Sequence, residues 1–185
     1  TPEAALGFSP LGSNGLTHEF HNFVNRHIVR GVWAGKERPV LVNNWEATMF
    51  NFTEEKLLAI AEKGKEIGAE LFVLDDGWFG GRTDDTKGLG DWYVNKERFP
   101  DGLDGFAKKI NALGLSFGVW VEPEMVNPDS ELYRAHPDWA VAHPCRTPSL
   151  SRNQLLLDLC SKEVRRYIIE NMTKVFSSAG ISYVK

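Results

Sequence analysis

A chain of 185 residues, 42% of them apolar and 11% aromatic, carries enough apolar side chain for one ordinary core rather than two. Its net charge is −4, and its lysines and arginines are scattered, so no basic patch invites nucleic acid or an acidic membrane surface, and a neutral or weakly charged partner fits better. The apolar runs fall far short of the roughly 20 residues that cross a bilayer and no basic-then-apolar leader opens the sequence, so neither a membrane span nor a targeting segment is expected.

Residues 1–38 read as a lead-in. A Gly/Ser/Asn-rich stretch runs through Gly15, and Phe20, Phe23, Val24, His27 and Ile28 follow at helix-like spacing, although an extended strand fits them too. From Arg38 a strand–helix rhythm begins. The run Val40-Leu41-Val42 ends in Asn43-Asn44-Trp45-Glu46, and Thr53 then offers an N-cap to a helix carrying Leu57, Leu58, Ile60 and Ala61, with Lys56 where a full capping box would have Glu. Gly68 stops that helix. The second strand, Leu71-Phe72-Val73-Leu74, ends in Asp75-Asp76-Gly77-Trp78 and opens into a Gly-rich loop through Gly90-Asp91-Trp92. A helix from about Leu103 to Leu113 follows, stopped by Gly114, and a third strand spans Leu115 to Val121 before Glu122-Pro123-Glu124.

Next comes an excursion with two strand-like runs, Trp139-Ala140-Val141-Ala142 and Gln154-Leu155-Leu156-Leu157. It holds both cysteines. Cys145 lies in the loop His143-Pro144-Cys145-Arg146-Thr147-Pro148, and neither it nor Cys160 has a metal-ligand spacing, so both are expected as free thiols in a reducing, cytoplasmic compartment. A helix from Lys162 to Ser178 leads through Gly180 to a fourth strand, Ile181 to Lys185. The opening at Thr1 and the stop directly after a β-prone run suggest a piece of something longer.

Strand and helix alternating at this pitch imply a parallel sheet buried on both faces, and the strands agree, being almost wholly apolar. Two closures fit: an open doubly wound sheet and a (β/α)8 barrel. Asn44-Trp45-Glu46-Ala47 is no phosphate loop, whereas bulky polar and aromatic residues at each strand end suit a barrel whose site forms at that face. The expected fold is therefore α/β, the first half of a TIM barrel of about four βα units over residues 39–185.

The chemistry concentrates at those strand ends. Asp75 and Asp76 are adjacent, so their side chains point apart unless the backbone turns, as Gly77 permits. One of them can be a turn aspartate and the other solvated. Metal binding is not expected, because no His or third acid stands at a companion spacing. Trp45 and Trp120, at the ends of the neighbouring strands, shift the balance: an indole face is a platform for the C–H face of a sugar while carboxylates take its hydroxyls. Glu122 and Glu124, separated by Pro123, read as acids that pair or anchor a loop.

Four strings make a resemblance specific. Val73-Leu74-Asp75-Asp76-Gly77-Trp78-Phe79-Gly80, Gly88-Leu89-Gly90-Asp91-Trp92, Trp120-Val121-Glu122-Pro123-Glu124-Met125-Val126 and His136-Pro137-Asp138-Trp139 resemble, in order and over essentially the whole chain, the bacterial α-galactosidases of glycoside hydrolase family 36. The resemblance implies a retaining enzyme acting on terminal α-1,6-galactose in melibiose- and raffinose-type oligosaccharides, without a cofactor and as part of a homo-oligomeric parent. It implies that Asp75 and Asp76 grip galactose hydroxyls, that Trp45 and Trp120 line the sugar, and that Arg152 and Lys185 add donors. It places residues 1–38 as a link from a preceding domain. In the family the fourth strand continues Lys-Trp-Asp, so the nucleophile is expected two residues after Lys185 and the acid/base further downstream. Retaining hydrolysis needs two carboxyl groups roughly 5 Å apart, so the 185 residues alone are expected to be inactive. Two other functions fit the same residues: galactosyl transfer of the raffinose- or stachyose-synthase kind, and a half-barrel that serves only as scaffold.

Overall fold

The computed structural model describes residues 3–185; the first two residues of the expected lead-in lie outside it. The chain forms two compact units that divide after Pro39. In the first, α1 (Gly12–Phe23) runs into a single π-helical turn, Val24–Ile28, and a short 3-10 turn, Gly31–Trp33. The helical alternative for Phe20 to Ile28 therefore holds. Its apolar side chains remain exposed, among them Phe20, Phe23, Val24 and Ile28.

The second unit is an α/β layer structure. Strands β1 (Leu41–Asn43), β2 (Leu71–Leu74), β3 (Ser116–Val119) and β6 (Tyr183–Val184) form a parallel sheet in the order β1-β2-β3-β6. Leu41 pairs with Leu71, Phe72 with Phe117 and Val119 with Val184. The sheet is open, with β1 and β6 at its edges. Backbone bonds from Ser182 to Phe117, Lys185 to Val119 and Val121 to Lys185 carry the last pairing beyond the two residues of β6 itself. The ladder thus follows the sequence-predicted strand from Ile181 to Lys185 more closely than its two-residue core suggests.

Each long crossover buries an apolar stripe. Between β1 and β2 lies α3 (Glu54–Glu66), between β2 and β3 lies α4 (Gly102–Ala112), and α6 (Lys162–Ser178) precedes β6. Thr53 caps α3 as its sequence position suggests, accepting a hydrogen bond from the Lys56 N–H at 3.3 Å, and Ser161 caps α6 in the same way. Phe106 of α4 is the centre of the packing. It meets Phe72 of β2 edge-on at 6.1 Å, Phe117 of β3 at 5.6 Å and Phe99 at 5.3 Å, and all four rings are buried. Burying one such ring is worth about 2–3 kcal/mol, which ties α4 to the middle two strands.

The excursion after β3 differs from its sequence reading in three ways. Met125–Val126 forms a strand, β4, that was not anticipated, pairing antiparallel with β5 (Leu155–Leu156). Trp139 closes a 3-10 turn rather than opening a strand, and of that run only Ala140 makes a bridge, to Leu157. Between them, α5 (Glu131–Ala135) is capped by Ser130 and by the Asp91 carboxylate, which accepts from Glu131 and Leu132 N–H at 3.0 Å each. Short apolar runs in a small satellite cluster carry too little periodicity to separate strand from turn, and here tertiary contacts decide. The cluster is Val126, Leu132, Ala140, Leu155, Leu157 and Val164.

Candidate functional site at the carboxyl ends of the strands

Parallel pairing brings the carboxyl ends of β1, β2, β3 and β6 to one side of the sheet, and there a cavity of about 370 Å³ opens. Trp45, Asp75, Asp76, Trp120, Arg152 and Lys185 all line it, together with Val121, Glu122 and Glu124. All six residues singled out from the sequence therefore share one pocket.

The tips of β1 and β2 are stitched together by asparagines that the sequence reading passed over. Asn43 Oδ1 accepts from the Trp45 N–H at 2.8 Å, and its Nδ2 donates to Asp75 Oδ2 at 2.6 Å. Asn44, fully buried, accepts the Asp75 N–H at 2.8 Å and donates to Thr48 Oγ1 at 2.9 Å. Trp45 does not extend the strand. It opens a one-turn helix, α2 (Trp45–Thr48), and its ring meets Phe50 edge-on at 5.0 Å. At the next tip Trp120 stacks over Phe79 at 6.4 Å, and its carbonyl accepts from Trp78 Nε1 at 2.9 Å.

Both aspartates are buried, which rules out the solvated alternative for either. The chain turns directly after them at Gly77, at φ 101°; a Cβ there would lie 2.9 Å from Arg98 Nη1 and 3.1 Å from the Phe50 ring. Asp75 accepts from Lys185 Nζ at 2.7 Å and from the Asp76 N–H at 2.9 Å, in addition to Asn43. Lys185, half-exposed, is thus tied by its ammonium to the pocket floor. Asp76 is held by a bidentate fork, Arg82 Nε to Oδ1 at 2.9 Å and Nη2 to Oδ2 at 2.7 Å. Arg82 is completely buried. Removing one partner of such a pair leaves an uncompensated buried charge, at a cost of about 3–5 kcal/mol. Sequence reasoning treated the loop holding Arg82 only as Gly-rich; an arginine six positions past paired acids was the available signal.

The rim is acidic and basic in turn. Glu122 accepts from Gln154 Nε2 at 3.1 Å, which fits the loop-anchoring role read for it, yet it also faces the cavity. Burial pushes its carboxyl above the ordinary value, a rise that nearby Arg152 and the Gln154 bond only partly offset. Beside it on the rim stands Arg152, at φ 53°. Carboxylate oxygens with lone pairs to spare, an ammonium, a guanidinium and two indoles can together hold a ring that bears hydroxyls on its edge and C–H groups on its face. Among the described residues no group of three or more His, Cys, Asp or Glu is placed to hold a metal ion, and no helix is long and apolar enough to cross a membrane.

These features define the class: an α/β protein with a parallel sheet and a polar pocket at the carboxyl ends of its strands. The chain belongs to the Melibiase family, whose model matches residues 1–185. It is 54% identical over its whole length to α-galactosidase AgaA of Geobacillus stearothermophilus and spans 25% of that protein. Among solved structures it is similar to the family 36 α-galactosidase AgaB of the same organism, at 55% identity and a TM-score of 0.87, over 92% of this chain and 24% of that one. A substituted AgaA solved in complex with raffinose matches at 54% identity and a TM-score of 0.88, with the same coverage. The chain thus spans about a quarter of the length of the relatives it matches.

Proposed function

We propose that these residues form the first half of the (β/α)8 catalytic barrel of a retaining α-galactosidase that removes terminal α-1,6-linked galactose from melibiose- and raffinose-type oligosaccharides. The observation that carries this reading is the convergence of Trp45, Asp75, Asp76, Trp120, Arg152 and Lys185 on one cavity. A cavity of about 370 Å³ suits a single hexose, since pockets for small ligands start near 300 Å³. In this reading the spare lone pairs of Asp75 and Asp76 take galactose hydroxyls, Lys185 and Arg152 donate to others, and the indoles face the sugar ring. Residues 1–38 link a preceding domain to the barrel. The exposed free thiols Cys145 and Cys160 support a reducing, cytoplasmic setting.

The catalytic carboxyl groups are assigned to other residues of the whole enzyme, the nucleophile two positions after Lys185 at the tip of β6. Asp75 and Asp76 suit binding better than attack, because Lys185, Asn43 and Arg82 already neutralise and orient them. The test is turnover of an aryl α-galactoside and of raffinose by the full-length enzyme, with product anomers followed by NMR. Release of α-galactose first, with lost turnover in Asp75→Asn and Lys185→Met, is the expected result. An enzyme that cleaves other glycosides but no α-galactoside overturns the reading, and so does measurable turnover by the 185 residues alone for the assignment of the nucleophile.

A further inference from the structure

Arg152 reaches the pocket from an unusual piece of backbone. Ser151 and Gln154 exchange backbone hydrogen bonds at 3.3 and 3.0 Å, and the two residues between them, Arg152 and Asn153, have φ of 53° and 61°. Two successive positive φ values are the geometry of a primed two-residue hairpin, which favours Asn and Gly. A long arginine side chain at the first position is strained, and such strain persists only where the surroundings hold it.

The hold comes from Asn127, just beyond β4 and fully buried. Its Nδ2 donates to the Asn153 carbonyl at 2.8 Å and to the Asp85 carbonyl at 3.2 Å. Its Oδ1 accepts from Arg82 Nη1 at 2.8 Å and from the Leu89 N–H at 2.9 Å. A carboxamide has two donor hydrogens and two acceptor lone pairs, so this one is fully used. Arg82 in turn forks Asp76. An unbroken series of hydrogen bonds therefore runs from the acid on the pocket floor to the turn that carries the guanidinium on its rim.

We propose that Asn127 is a positioning residue for the galactoside site: it holds the strained Arg152–Asn153 turn so that Arg152 faces the sugar, and through Arg82 it locks that turn to Asp76. The role in catalysis rests on the galactosidase reading above; the hold on the turn does not. Asn127 is inaccessible to substrate and acts only through its partners.

Asn127→Asp tests this with almost no change of shape. It keeps acceptors for Arg82 and Leu89, and its new charge sits against the Arg82 guanidinium. Two donor hydrogens are replaced by an oxygen that faces the carbonyls of Asn153 and Asp85. In the full-length protein, hydrogen exchange at the Gln154 amide is expected to quicken about tenfold, the loss of roughly one hydrogen bond, while amides of β2 and β3 keep their protection. KM for an aryl α-galactoside rises about tenfold with kcat little changed, and the effect disappears in an Arg152→Ala background because the two residues act as one unit. Asn153→Gly, which suits positive φ, restores part of the loss. Unchanged exchange at Gln154, or full additivity with Arg152→Ala, overturns the proposal. Faster exchange in a protein that turns over no α-galactoside leaves the hold on the turn standing and removes the galactosidase reading instead.

Discussion

Glu122 shows how much a single side chain can carry at this pocket. It anchors Gln154 and faces the cavity at once, and burial raises its carboxyl above the ordinary 4.5. Within the window from that ordinary value up to the raised one, the folded chain binds more protons at this residue than the unfolded chain does. Stability therefore falls as pH climbs through the window and levels off beyond it. Glu122→Gln removes the titration. Denaturant midpoints measured from acid to neutral pH should show the substituted protein keeping the stability that the parent loses from about pH 4.5 upward, and parallel curves for the two would rule the effect out. Arg82 teaches a different lesson. A residue with no accessible surface fixes the orientation of Asp76, so the polarity of the pocket floor is decided one layer behind it.

At the scale of elements, Gly118 of β3 governs how closely β6 approaches. A Cβ at that position would lie 2.9 Å from Tyr183 Cβ and 2.9 Å from its carbonyl oxygen. Gly118→Ala should push β6 outward, cost about 1–3 kcal/mol as an overpacked contact, and draw the Lys185 ammonium away from Asp75. Chemical denaturation reads the first effect and, on the proposed function, binding of an aryl α-galactoside by the full-length protein reads the second; an unchanged midpoint would show that β6 yields without strain. The elements most legible in the sequence are those whose own residues decide them. The four strands of the sheet, the Thr53 cap and α6 from Lys162 to Ser178 all follow from apolar runs and cap chemistry. What stayed hidden depends on partners distant in sequence. Asn43 and Asn44 look like loop residues until β2 lies beside them, β4 exists only because β5 returns to it, and the Arg152 turn has no local glycine to announce its positive φ. Of the candidate site, the residues that face the cavity were legible as strand-end chemistry and family motif. The asparagines that orient Asp75 were not, because hydrogen bonds across about 30 residues leave no local pattern, whereas Arg82 stands only six positions from Asp76.

For the molecule as a whole, the open sheet sets the behaviour of the isolated chain. Both outer strands present unpaired backbone groups, with Val40, Leu41, Tyr183 and Val184 exposed along them. Such edges are templates for pairing with another chain. The 185 residues produced alone should associate increasingly with concentration in size-exclusion chromatography, and a strictly monomeric profile over a wide concentration range would refute this. The ion pair between Lys185 and Asp75 bridges 110 positions of sequence, and this has a consequence for biosynthesis. A ribosome delivers the indoles and the acids well before it delivers the ammonium, so a nascent chain holds a half-satisfied Asp75 until the final strand docks. Of these residues the ammonium arrives last, and contacts that span so much chain form slowly.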